Sequence, residues 1–123
     1  MANGTIQNEV CYSTANIANF PHAEGITNIS GALTRVGHVV FGDLAFKNNT
    51  DHALSTIEDI FTSGFPIPLT EMNQQASIMG SDGTSDGTTT VLRIRSNGAL
   101  TAWYSRPIDI GDIVLVTIMY FAS

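Results

Sequence analysis

Trp103 is the one tryptophan of the chain, and Arg93 and Arg95 lie within ten residues of it. An indole beside guanidinium groups offers a stacking surface and planar hydrogen-bond donors. Sugars present apolar C–H faces and hydroxyl edges, so such a surface suits them. The same tryptophan would serve as well packed under a loop or across a subunit boundary. His38, which follows a turn glycine, and Asp82 and Asp86, in a Gly/Ser/Thr-rich run, complete the candidate saccharide contacts.

Other chemistry fits less well. Gly83-Thr84-Ser85-Asp86-Gly87 has the G-x-S-x-G spacing of a nucleophile elbow. That motif needs a sharp strand-to-helix turn with a histidine and an acid nearby, and a β-rich run follows here. Asp82 and Asp86-Gly87 resemble the start of a calcium loop, but its last position is Arg93, where a bidentate glutamate belongs. His22, His38 and His52 have no zinc spacing. Glu58-Asp59 and the Asp109/Asp112 pair fall in turn settings, and nothing selects either pair as acid and base. Cys11 is alone, so no internal disulfide forms, and a buried structural thiol is its simplest role. The expectation is a non-enzymatic protein with no metal and no cofactor.

Composition narrows the partners. The chain has 123 residues, the size of one domain, and 43% of it is apolar. Only 13% is charged, against about 25% in an ordinary domain. The net charge is −6 with a single lysine, Lys47. Nucleic acid needs basic clusters, and anionic membranes exert the same pull, so neither is expected. No apolar run reaches the length of a membrane span, and MANGTIQNEV has no secretory pattern.

The elements that must position Trp103 are strands. Isoleucine (13) and threonine (14) are plentiful while leucine (7) is scarce. β-Branched residues favour pleated, half-buried surfaces. Eleven glycines punctuate short apolar stretches, the pattern of an antiparallel sandwich or barrel. Residues 1–25 read as an irregular arm that pairs with a sheet edge or a neighbouring subunit, and 26–123 as the β domain. Within the arm, Phe20-Pro21 forces an extended Phe20. Residues 26–35 and 39–47 read as a hairpin turning at Val36-Gly37-His38, the first strand interrupted by Gly31. Residues 51–62 leave helix and strand both open, because Leu54, Ile57 and Phe61 fit a helical stripe. Phe65-Pro66-Ile67-Pro68 cannot be a central strand. Residues 75–79 form a short strand before the loop GSDGTSDGT.

The hairpin that carries Trp103 has two candidate registers around Ser96-Asn97-Gly98. A two-residue Asn97-Gly98 turn mixes apolar and charged residues on both faces. A three-residue loop with left-handed Gly98 pairs Ile94 with Leu100 and Leu92 with Ala102. It puts the aliphatic residues on one face with Tyr104, and Arg93, Arg95, Thr101 and Trp103 on the other. Hydrophobic segregation fixes register, so the three-residue loop is expected.

The final strand, residues 113–121, is apolar on both sides. Val114, Val116, Ile118 and Tyr120 form one face; Ile113, Leu115, Met119 and Phe121 form the other. An antiparallel sheet usually wets one face. A second apolar face calls for a cover, either another copy of the chain or the N-terminal arm. Another copy is the simpler cover, which makes Ile113, Leu115, Met119 and Phe121 candidate interface residues.

The hairpin Leu33-Thr34-Arg35-Val36-Gly37-His38-Val39-Val40, the run Gly64-Phe65-Pro66-Ile67-Pro68, the hairpin Leu92-Arg93-Ile94-Arg95-Ser96-Asn97-Gly98-Ala99-Leu100 and the end from Ile110-Gly111-Asp112-Ile113-Val114 to Tyr120 occur in a telling order. Over residues 26–121 the chain resembles the head domains of tailed-bacteriophage receptor-binding and tail-fibre proteins. That resemblance implies an all-β, antiparallel, jelly-roll-like β-sandwich that assembles as a homotrimer and binds host cell-surface glycan. It also implies a virion location at the tail, baseplate or capsid surface, after synthesis in the host cytoplasm. The first 25 residues show neither heptads nor a collagen-like neck, so the chain also fits a capsid or tail decoration subunit or a baseplate subunit that binds other virion proteins.

Overall fold

Alternation along each strand dictates which side faces the core. The computed structural model describes residues 12–80, 85–103 and 106–123, with Tyr12 and residues 85–87 described as backbone only. Eight strands form: β1 (Tyr12–Asn16), β2 (Ile26–Val36), β3 (Val39–Asn48), β4 (Glu58–Phe61), β5 (Met72–Met79), β6 (Ser85–Ile94), β7 (Leu100–Ala102) and β8 (Ile113–Phe121). A single 3-10 turn, Ile17–Asn19, is the one helical piece among the described residues. The strands make one antiparallel sheet in the order β1-β2-β3-β8-β5-β6-β7-β4, curled into a half-barrel. The all-β, antiparallel expectation holds.

The concave side holds the core. Val40, Leu44 and Phe46 of β3, Leu92 and Ile94 of β6, and Val114, Val116, Ile118 and Tyr120 of β8 are all buried. Phe20, Phe65, Phe61 and Phe46 meet edge to face in sequence, with ring centroids 5.2, 5.8 and 6.2 Å apart. Each such pair contributes about 0.5–1.5 kcal/mol beyond its buried area.

Several local readings meet their outcome here. Of the partners open to the N-terminal arm, the sheet edge takes residues 12–16, which pair with β2 from Tyr12↔Val36 to Asn16↔Ala32. Phe20 is extended, as the following proline requires (φ −77°, ψ 143°). Beyond it, Ala23 donates to Ile60 and Thr62 to Pro21. The segment after β1 thereby meets β4, at the opposite end of the sheet order. Val36 belongs to β2, so the first hairpin turn shrinks to Gly37-His38, with Val36 opposite Val39. Gly31 does not interrupt β2, which is continuous with a bulge between Thr27 and Ser30. Residues 51–62 form neither a helix nor one strand. Leu54 bridges Ile108, a turn covers 56–57 and β4 follows. The loop expected over 80–88 ends earlier, because β6 already begins at Ser85 opposite Met79.

Gly64 to Leu69 lies without a strand of its own along one end of the half-barrel, in keeping with its prolines. Pro68 bridges Ala122, and the Tyr120 hydroxyl donates to the Pro66 carbonyl at 2.8 Å. Burial pushes the Tyr120 phenol far above its ordinary range despite nearby Arg35, so it remains a donor. No helix among the described residues is long and apolar enough to cross a membrane.

Candidate functional site

The β6–β7 hairpin takes the three-residue loop. Leu92 pairs with Ala102, Arg93 with Thr101 and Ile94 with Leu100. Arg95 donates to Ala99 and Gly98 donates back to Arg95, enclosing Ser96-Asn97-Gly98. Gly98 has φ +84°, and a Cβ there would lie 2.8 Å from the Phe65 carbonyl oxygen. The loop is therefore fixed by its own backbone and by the segment beneath it.

That register turns Leu92 and Ile94 inward and Arg93 and Arg95 outward. Trp103 continues the ladder past β7 by donating its backbone N–H to Val91 at 2.9 Å. The three outward side chains meet. The Arg93 guanidinium carbon is 4.0 Å from the indole centroid and that of Arg95 is 5.0 Å away. Each stack of this kind contributes roughly 0.5–1 kcal/mol near the surface. Thr101, expected on the same open face, is fully buried instead, and its hydroxyl donates to the Arg93 carbonyl. Tyr104 lies outside the described residues.

Two residues that sequence reasoning missed complete the cluster. Glu71 accepts from Arg95 Nε and from the Ser96 backbone N–H, each at 3.0 Å, and its other oxygen is 3.5 Å from Arg93 Nη1. The Ser96 N–H, then Arg95, hold its carboxyl below the usual range against a smaller desolvation effect. Asn73 Oδ1 accepts from Arg93 Nε at 2.7 Å. The signal for Asn73 is parity. Once β5 pairs with β6, Asn73 falls opposite Arg93.

Of the remaining candidates, His38 lies apart from this cluster. His38 is exposed at the β2–β3 turn, with Nδ1 3.1 Å from the Ala122 carbonyl. Strands β8, β5 and β6 separate β3 from β7 in the sheet order. Asp82 and Cys11 lie outside the described residues, and Asp86 is described only as backbone in β6. Ser85 is likewise in a strand, where a nucleophile elbow has no place. Among the described residues no group of three or more metal-ligating side chains could hold an ion.

A second polar cluster was not anticipated. His52 Nδ1 lies 2.8 Å from Asp51 and Nε2 lies 2.6 Å from Glu58, at the start of β4. Glu58 also accepts from the Ser55 N–H. Both imidazole nitrogens face acceptors, so the arrangement favours the imidazolium. Hydrogen bonds to Asp51 and Glu58 raise the His52 pKa, and the bond to His52 lowers that of Asp51. For Glu58, partial burial works upward, but His52 and Ser55 together outweigh it and the net shift is down. The histidine's stabilisation is complete below its unfolded value of about 6.5 and is lost as pH rises through the raised folded value. The carboxylates' stabilisation is complete above their ordinary values of about 4 and is lost as pH falls through the lowered ones. The cluster therefore stabilises most between about pH 4.5 and 6.5. Urea melts of His52→Gln against the parent should differ more at pH 5.5 than at pH 8.5. An equal difference at both would reduce the cluster to packing.

The convex face has its own character. Phe41 and Leu115 are each 42% exposed, Met119 is 65% exposed and Phe121 60%. Ile113, the fourth interface candidate, is only half-exposed, opposite Lys47. Met119 stands directly opposite Phe41. Beside them is a trough of about 400 Å³ lined by Ser30, Asp43, Gln75, Ser77 and Leu115.

No family model matches the chain, and no curated protein matches it in sequence.

Proposed function

We propose that this chain is a non-enzymatic bacteriophage virion protein, a receptor-binding head that attaches to host cell-surface saccharide. The observation that carries the reading is the outward platform of Trp103, Arg93 and Arg95 on a register-locked hairpin. Its donors are planar and fixed, and Glu71 is held by both arginines and the Ser96 N–H, which suits recognition rather than proton transfer. The sequence resemblance of residues 26–121 to phage heads supports the same role. The half-barrel is taken as a head of the jelly-roll-like sandwich class, working as a homotrimer. Shallow saccharide sites bind weakly, and linked copies restore avidity.

The exposed apolar face around Met119 and Phe121 supports the oligomer, with a second copy of this chain as its occupant. Its strands β3 and β8 carry outward one anion, Asp43, and one cation, Lys47, four residues apart on β3. That spacing spans about 13 Å of strand, and the two make no ion pair with each other. Each is left to meet the opposite charge of a neighbour. The same face supports a second reading, a capsid, tail or baseplate subunit that docks on another virion protein.

Binding to host envelope preparations tests the first reading. The parent should bind, and Trp103→Ala should lose at least about tenfold in affinity, since removing the indole frees both guanidinium groups. Unchanged binding by Trp103→Ala, with native circular dichroism, would remove the platform from the attachment role.

A further inference from the structure

We infer that the saccharide taken at this platform is anionic, gripped through a carboxylate or phosphate by the guanidinium edges of Arg95 and Arg93. The inference rests on the saccharide reading above and narrows its ligand class. A neutral sugar would bind by laying its C–H face on the indole. The two guanidinium groups already stack on that ring, at 4.0 and 5.0 Å from its centroid. Part of the indole face that a neutral sugar would need is therefore already taken by guanidinium.

The donor inventory points the same way. Arg93 uses Nε on Asn73 and Nη1 on Glu71, and Arg95 uses Nε on Glu71. Among the described residues neither Nη of Arg95, nor Nη2 of Arg93, has a protein acceptor. The Asn73 amide is oriented by its oxygen, which accepts from Arg93, leaving its N–H₂ as a further donor. Two arginines against one carboxylate give the cluster a charge of about +1, within a chain of net charge −6 that has only five lysines and arginines. Stacking and Glu71 hold the forks in place before any ligand arrives. A planar fork of this kind matches the two oxygens of a carboxylate or phosphate, and prior ordering reduces the entropy lost on binding.

The single tryptophan makes the site its own reporter, because emission from Trp103 is the only indole signal. The intact chain would be titrated with trigalacturonate, with glycerol phosphate and with neutral galactotriose. Trigalacturonate, glycerol phosphate or both should change Trp103 emission saturably, at least about tenfold more tightly than galactotriose. Added NaCl should weaken that response. Arg95→Gln should abolish it, and Arg95→Lys, which keeps the charge but not the fork, should weaken it by about tenfold. The carboxylate and phosphate arms distinguish an acidic sugar from a phosphorylated one. Equal or tighter response to galactotriose would overturn the anionic class while leaving the saccharide reading standing. No response to any of the three, or an unaltered anion response in Arg95→Gln, would also overturn it. Loss of host-envelope binding in Trp103→Ala tests the broader attachment role separately.

Discussion

Gly31→Ala should lower the stability of the domain by at least about 3 kcal/mol. Gly31 has φ +114°, beyond the left-handed region that side chains tolerate. A Cβ placed there would lie 2.0 Å from the Asp43 carbonyl oxygen and 2.8 Å from its carbon. Those atoms are backbone of β3 and cannot swing aside as a flexible side chain would. Relieving the clash means opening the β2–β3 ladder next to Leu44, a core residue. Gly37→Ala is the internal control. Gly37 has φ +60° and no atom within 4 Å of its would-be Cβ, so alanine there costs only about 1–2 kcal/mol in backbone strain. Urea unfolding of both variants beside the parent separates close approach from conformational preference. Equal losses at the two positions would show that β2 and β3 do not come this close.

The same glycine shows where sequence reading reached its limit. As residue types, Ile-Ser-Gly-Ala looks like a broken strand. Only the neighbouring backbone of β3 reveals that glycine lets the strand continue past a bulge, and that neighbour lies twelve residues on, beyond any local signal. Where local patterning is strong the reading succeeds. Strand β8 is apolar on both faces, yet strand parity divides its nine residues into the buried and the more exposed sets that the structure shows. The β6–β7 register is legible because one of two loops separates aliphatic from charged residues and the other mixes them. Residues 51–62 fail for the opposite reason. Leu54, Ile57 and Phe61 have helical spacing, but each answers to a different environment. Leu54 bridges Ile108, Phe61 joins the aromatic core, and Ile57 is 54% exposed at φ +66°.

The site divides in the same manner. Trp103, Arg93 and Arg95 share a face by strand parity, so their meeting follows from register alone. Glu71 and Asn73 reach them only because β5 runs beside β6, a pairing that no nearby residue announces. His52 and Glu58 meet through a turn whose form depends on tertiary contacts. Strand order is the least legible feature of all. Placing β8 between β3 and β5, and β4 outside β7, is settled by long-range packing.

Replacing Met119 and Phe121 together with aspartate should convert an assembly of this chain into single copies. Both side chains point away from the core and are exposed in the lone chain, while their inward neighbours Ile118 and Tyr120 stay untouched. The fold should therefore survive, with unchanged far-ultraviolet circular dichroism and little change in the stability of the dissociated chain. Assembly would not survive. A carboxylate buried without a partner at an apolar interface costs several kcal/mol, and closed symmetry repeats that cost in every copy. Light scattering at matched concentrations reads the result as a fall from a multiple of 13.1 kDa to one. A parent that already scatters as one chain would take self-association away from this face. The uncovered Phe41, Met119 and Phe121 would then favour the second proposed reading, docking on a different protein. In that case the avidity that the proposed saccharide site needs would have to come from an array that holds the copies, and not from contacts between them.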